Sequence, residues 1–427
     1  MLSDDNGFPQ YLFPAELSLG KKESFMFFKK LTSVIVIFTL LLAASCGKAS
    51  PNTELDSTTA SETTVVPSPE EQRLQAMTVE QKVAQLLVAG ISGTTPGADG
   101  IAAIQNYQVG GIILFGRNVS SSRQLTELTN QLKALNTDYI PLFLCVDEEG
   151  GRVSRMPLEI ADIPAAYTYG QQSDPSLLKK LGQTLGAECS AFGFNLDFAP
   201  VMDVFSDPNN TVIGDRSYGS DPRTAAEASS QAAAGLQDAG IIAAGKHFPG
   251  HGDTATDSHL SLPIVNKTKE EWEQNDAIPF QKAIDTGIPI VMVGHILMPQ
   301  LDPNNPATLS HIMVTDILRE EMGFDGVICT DDLTMGAITE AYGIGEAAVR
   351  AVEAGCDLLL VCHEEENLEA VYTALLSAVE SGRISEQRLN ESVLRILSLK
   401  TEYGLTNEAI SYPDIAALNR QIEEILP

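Results

Sequence analysis

Between residues 85 and 362 one pattern recurs eight times, a short apolar run followed by an amphipathic stretch. The runs are QLLVAGI (85–91), VGGIILF (109–115), PLFLCVD (141–147), FNLDFAPV (194–201), IIAAGKHF (241–248), PIVMVGHI (289–296), GVICTDD (326–332) and DLLLVC (357–362). Continuous Val, Ile and Leu marks strands covered on both faces, and helical segments between them supply the crossovers of a parallel sheet. Eight such units predict an α/β fold, a (β/α)8 TIM-type barrel. An open doubly wound sheet is the alternative, but no Gly-rich nucleotide turn follows the first strand.

The polar residues that interrupt these runs fall at their C-terminal ends: Asp147, Lys246, His247, His295, Asp331 and Asp332. In a barrel that end carries the active site. Each residue alone has a structural explanation, since a strand-end Asp often caps the next helix and a lone His is usually a satisfied structural group. Their agreement across separate strands favours function.

The stretch KHFPGHGDTATDSHLSLP (246–263) is too rich in Gly and Pro for a helix. It could hold a metal through His247, His251, Asp253, Asp257, His259 and His295, or carry a proton. No pair of histidines has the HxH spacing of metal-dependent barrels, so neither metal nor cofactor is expected. His251 and Asp253 are expected to organise the loop by hydrogen bonds.

The N-terminal region looks like an address. From Met26 a basic pair, Lys29 and Lys30, precedes an apolar run from Leu31 to Leu42 and the small residues before Cys46. These are the parts of a secretory signal, and Cys46 resembles the lipidated residue of a bacterial lipobox. Residues 1–25 are expected to be an upstream leader, 26–46 the signal peptide, 47–70 a Ser/Thr/Pro tether and 71–427 the barrel domain. The expected location is outside the cytoplasm, on the cell membrane of a bacterium, through a lipid anchor. Thr78 and Gln81 form a capping box early in the folded part. Cys145, Cys189, Cys329, Cys356 and Cys362, several inside apolar runs, read as buried thiols. A formal charge of -30 argues against nucleic acid as a partner.

The loop sequence resembles the signature of the bacterial β-N-acetylglucosaminidases of glycoside hydrolase family 3. VDEEGGRVSR (146–155), VIGDRSYG (212–219), GVICTDDLTMGAI (326–338) and ISEQRLNESVLRIL (384–397) are similar to further family segments, in the family's order. The resemblance spans about residues 75 to 405 and implies a retaining glycosidase with a carboxylate nucleophile and a separate proton donor. The motif places the nucleophile at Asp331, and adjacent strand residues face opposite ways, so Asp332 should not reach the sugar. The resemblance implies His259 as acid/base, tuned by Asp257, because an imidazole beside a carboxylate can give and then take a proton. Larger relatives place a glutamate donor on a second, α/β sandwich domain. Little chain follows the last helical segment here, near residue 405, so the donor is expected on the barrel loop.

By matching motif positions, Asp147, Arg155, Arg216, Lys246 and His247 should hold the substrate. Arg216 has an alternative as a salt-bridge partner of Asp203 or Asp207, and Arg152 reads as a surface charge. The implied substrate is an N-acetylglucosamine-containing glycan or muropeptide, cut by a monomer. A β-glucosidase or β-xylosidase is the nearest competing activity, and a cell-wall glycan-binding lipoprotein without activity is the reading outside the enzymes.

Overall fold

The computed structural model describes residues 67–136, 140–172, 174–254 and 262–426. The proposed leader, signal peptide, Cys46 and most of the tether lie outside the described residues, as do Asp257 and His259.

All eight runs form strands: β1 Leu87–Gly90, β2 Gly111–Ile113, β3 Phe143–Val146, β4 Leu196–Asp197, β5 Ile242–Phe248, β6 Ile290–Val293, β7 Val327–Asp332 and β8 Leu358–Val361. They pair in parallel in chain order, and β8 closes on β1. Amphipathic helices such as Ser122–Leu135, Pro175–Ala191, Pro222–Asp238 and Glu365–Glu380 carry the chain back along the outside. Local chemistry starts them: Asp174 and Asp221 accept backbone N–H groups of the first turn, with Pro at the first helical position.

Two departures from the expected boundaries have local causes. The helix Pro69–Ala76 begins inside the expected tether, because Ser68 and Glu71 form a reciprocal capping box and Leu74 is buried. Near the other end, Asp414 caps a further helix, Ile415–Glu423, beyond residue 405. The Thr78–Gln81 capping box is present, and the five described cysteines are free and buried, as expected.

The N-terminal rim of the barrel is sealed by structural charges. Arg388, Ser392 and Arg395, spaced to share one helix face, meet the fully buried carboxylate of Asp357 at 3.2, 2.7 and 3.1 Å. Arg319 closes the other side at 2.9 Å. The ISEQRLNESVLRIL segment therefore holds the bottom of the barrel. Lys400 plugs the same end, donating to the Gly110 carbonyl at 2.7 Å and to Gln85 Oε1 at 3.0 Å, with its ammonium over the Phe143 ring.

Candidate active site

Two strand irregularities shape the opposite, C-terminal rim. Against β6, Gly245 pairs with Val291 but Phe248 with Val293, so β5 spends three steps where its partner spends two. The bulge re-aims its residues, and consecutive Lys246 and His247 both meet polar groups at the mouth. A similar slip sits in β7, where Cys329 pairs with Leu358 and Asp332 with Leu360.

The segment after β3 turns back on itself through Gly150 and Gly151, both at positive φ. A Cβ on Gly151 would lie 2.8 Å from Ala165 Cα, so glycine is required there. Glu148 pins the turn by accepting from the Arg155 N–H at 2.7 Å and from Ser154 Oγ at 2.9 Å. This leaves Asp147 and Glu149 facing the mouth. Lys246 Nζ donates to Asp147 Oδ1 at 2.6 Å and to Glu149 Oε1 at 2.7 Å. Arg216, from the short turn Gly214–Arg216, forks onto Glu149 through Nε and Nη2, both at 2.8 Å. Its Nη2 also lies 3.5 Å from His247 Nε2.

Asp203, fully buried, organises the next stretch. It takes the His247 Nδ1–H at 2.7 Å and the His251 backbone N–H at 2.6 Å. The ring tautomer of His247 is thereby set, with Nε2 turned toward Arg216. His251 in turn meets Thr254 Oγ1 at 2.6 Å through Nδ1. Gly252 is forced by space, since a Cβ there would lie 1.7 Å from the Val204 carbonyl oxygen. Trp272 supports the loop from below, donating from Nε1 to the Pro249 carbonyl at 2.8 Å and packing edge-on against Phe248.

At the end of β7 the two aspartates part company. The Asp331 carboxylate accepts the Asp332 N–H at 2.8 Å. Burial pushes its carboxyl up, but His247, His295, that N–H and Lys246 outweigh burial and hold it below the ordinary carboxylate value. Asp332 turns away and accepts from Thr334 N, Cys362 N and Thr334 Oγ1 at 3.0, 3.1 and 2.6 Å. His295 is also occupied: Nε2 donates to the Asp332 carbonyl at 2.9 Å, and Nδ1 meets Thr308 Oγ1 at 2.8 Å.

Other groups are tuned in the same way. Burial opposes the charge on Glu149, but Lys246 and Arg216 overcome it and hold the carboxyl far below its usual range. Burial likewise works against Lys246, and Asp147 and Glu149 raise its ammonium above the usual value. Behind the site, burial lifts Glu148 to about 7 and holds Glu188 and Asp197 well above ordinary carboxylates.

Of the expected site residues, the structure brings together Asp147, Arg216, Lys246, His247 and Asp331. Arg155 stays outside the array, its Nη1 donating to the Ser154 carbonyl. Arg216 pairs with neither Asp203 nor Asp207; those carboxylates serve His247 and the Asn209 turn. Arg152 is more than a surface charge: it pairs with Asp215 at 2.9 Å and staples the carbonyls of Thr211, Val212 and Ile213. Asp253 lies 3.5 Å from Lys267 across the legs of the loop. Glu149, and Asp203 as the partner of His247, are the groups of the site to which no sequence motif gave a role. Among the described residues no three His, Cys, Asp or Glu side chains are grouped to hold a metal.

A (β/α)8 barrel whose C-terminal mouth holds an ionised carboxylate beside fixed cations and acceptors for hydroxyl groups is the frame of a glycosidase. The family model described as "Glycosyl hydrolase family 3 N terminal domain" matches residues 78–399, and the chain belongs to glycosyl hydrolase family 3. In sequence it is similar to the beta-hexosaminidase of Nitrosomonas eutropha, 37% identical over 316 residues that span 72% of this chain and 90% of that protein. In structure it is similar to a glycoside hydrolase family 3 β-N-acetylglucosaminidase from Paenibacillus sp. str. FPU-7, with TM-score 0.79 and 41% identity over 82% of this chain and 68% of that one. A zinc-bound protein from Thermotoga neapolitana is also similar, with TM-score 0.70 and 29% identity over 76% of this chain and 68% of that one.

Proposed function

We propose that the protein is a retaining exo-β-N-acetylhexosaminidase that removes terminal non-reducing N-acetylglucosamine residues, with glycans or muropeptides of the cell wall as the source. The observation that carries this reading is the split at the end of β7. Asp331 is ionised at the mouth beside His247 and Lys246, whereas the Asp332 carboxylate is spent on the backbone of the β7 and β8 loops. The relatives named as hexosaminidase and N-acetylglucosaminidase support the sugar.

In this reading an Asp331 oxygen attacks the anomeric carbon while His259 protonates the departing glycosidic oxygen. His259, oriented by Asp257, then takes a proton from water, which displaces Asp331 and restores the free enzyme. Asp147, Lys246, Arg216 and His247 grip the sugar hydroxyls through both steps, and Arg155 closes on them only if its guanidinium swings from Ser154. Asp257 and His259 enter on their sequence motif alone.

A panel of nitrophenyl glycosides tests the proposal. Turnover of the N-acetylglucosaminide far above the glucoside and xyloside is expected. A preference for glucoside or xyloside, or binding without cleavage, would refute it. Membrane anchoring through Cys46 is proposed on the lipobox-like sequence. The matching test is detergent partitioning of the protein expressed in a bacterium, with loss of partitioning in Cys46→Ser; a wild type that stays aqueous would refute the anchor.

A further inference from the structure

We propose that Glu149 is the positioning residue of the sugar-binding array: withdrawn from the substrate itself, it sets the direction of Lys246 and Arg216. The inference rests on the reading of that array as the sugar site. The Glu149 side chain is 3% exposed, and its two oxygens are taken by Lys246 Nζ at 2.7 Å and by the Arg216 fork at 2.8 Å. It therefore acts through its partners.

The three side chains come from three separate elements, the turn after β3, the loop after β4 and the bulged β5. One carboxylate joins them. Glu149 is itself fixed, because its N–H donates to the Val153 carbonyl at 2.9 Å and the two positive-φ glycines follow it. Hydrogen-bond capacity then dictates what each cation can offer. An ammonium has three N–H groups. With one given to Asp147 and one to Glu149, Lys246 has one left for a ligand, in a single direction. Arg216 spends Nε and one Nη2 hydrogen on Glu149 and one Nη1 hydrogen on the Val212 carbonyl, leaving one hydrogen on each Nη, with that of Nη2 beside His247.

Charge reinforces the geometry. Asp147 and Glu149 balance Lys246 and Arg216. Without the Glu149 charge, Lys246 would turn wholly onto Asp147 and consume acceptor sites that sugar hydroxyls need. An amide in its place would also point an N–H at a cation.

The test is a double-mutant cycle on nitrophenyl N-acetylglucosaminide hydrolysis, with rates normalised to active sites titrated by a fluorinated sugar. Glu149→Gln is expected to lose about a hundredfold in kcat/KM per titrated site, but only about tenfold when introduced into Lys246→Met, because one of the two partners it works through is already gone. A purely structural role would lower the number of titrated sites and leave kcat/KM per site intact. Glu149→Asp keeps the charge but is one methylene too short to reach both cations, and it is expected to lose at least about tenfold. Effects that multiply across the cycle, or kcat/KM within about threefold of wild type in both variants, would overturn the inference. A wild type that fails to cleave any sugar of the panel would instead sink the functional reading.

Discussion

The two adjacent aspartates of β7 should separate activity from stability. In Asp332→Ala the Thr334 and Cys362 amides and the Thr334 hydroxyl lose their acceptor, at 3.0, 3.1 and 2.6 Å in the wild type. The Asp332 side chain is only 14% exposed, so water replaces that acceptor poorly. A buried donor left unpaired costs roughly 1–3 kcal/mol, so the two amides together put the loss at about 2–6 kcal/mol. For a domain of this size 1 kcal/mol moves Tm by roughly 2 °C, which gives a fall of about 4–12 °C. Asp332→Asn keeps an oxygen toward both amides, and the Thr334 hydroxyl can turn to accept, so its cost should be about 1 kcal/mol. Both should retain kcat within about tenfold. Asp331→Asn is the converse: one backbone donor keeps its acceptor and Tm should move by less than about 2 °C, while the rate falls by at least about four powers of ten. Thermal melts and nitrophenyl rates on the same preparations read both quantities. Loss of activity in Asp332→Asn equal to that in Asp331→Asn, at unchanged Tm, would refute the assignment of roles.

His259→Ala should still be glycosylated by a substrate with a good leaving group and then stall; rapid-quench kinetics should show a burst, and normal steady turnover would contradict its role as base. Glu148 titrates near 7 when folded, above its unfolded value of 4.5, so the folded state binds the extra proton and stability should fall as pH rises between those values. Glu148→Gln keeps the acceptor for Ser154 and Arg155 and should remove that slope, melting higher than wild type at pH 8 by an amount on the order of 2–3 kcal/mol and matching it near pH 4.5. A slope unchanged by the substitution would show that Glu148 is not its source. Exhaustive chelation should leave turnover unchanged. The zinc-bound similar protein from Thermotoga neapolitana makes this a pointed test, and stoichiometric zinc whose removal abolishes activity would assign the loop to metal binding.

The barrel was legible because every strand is covered on both faces, so each announced itself as an apolar run whatever its partners. Strand ends were less so: the run FNLDFAPV yields only Leu196–Asp197, with Pro200 unable to donate to a ladder. The Ser68–Glu71 capping box was readable as a motif, yet the Ser, Thr and Pro before it disguised it as tether. At the site, single residues at strand ends could be picked out, but not their partners. Nearness in sequence favours Asp203 or Asp207 as the partner of Arg216, whereas its carboxylate, Glu149, lies 67 residues away and arrives only through closure of the barrel mouth. The family resemblance singles out Asp331, and strand alternation, a local rule, turns Asp331 and Asp332 to opposite sides; their carboxylates accordingly take different partners.

The central claim, a covalent intermediate on Asp331, is tested most directly by trapping it. Incubation with a fluorinated N-acetylglucosaminyl donor should add one sugar per chain, and fragmentation of the labelled peptide should place it on Asp331. Label on Asp332, label on another residue, or turnover with no covalent adduct would contradict the account.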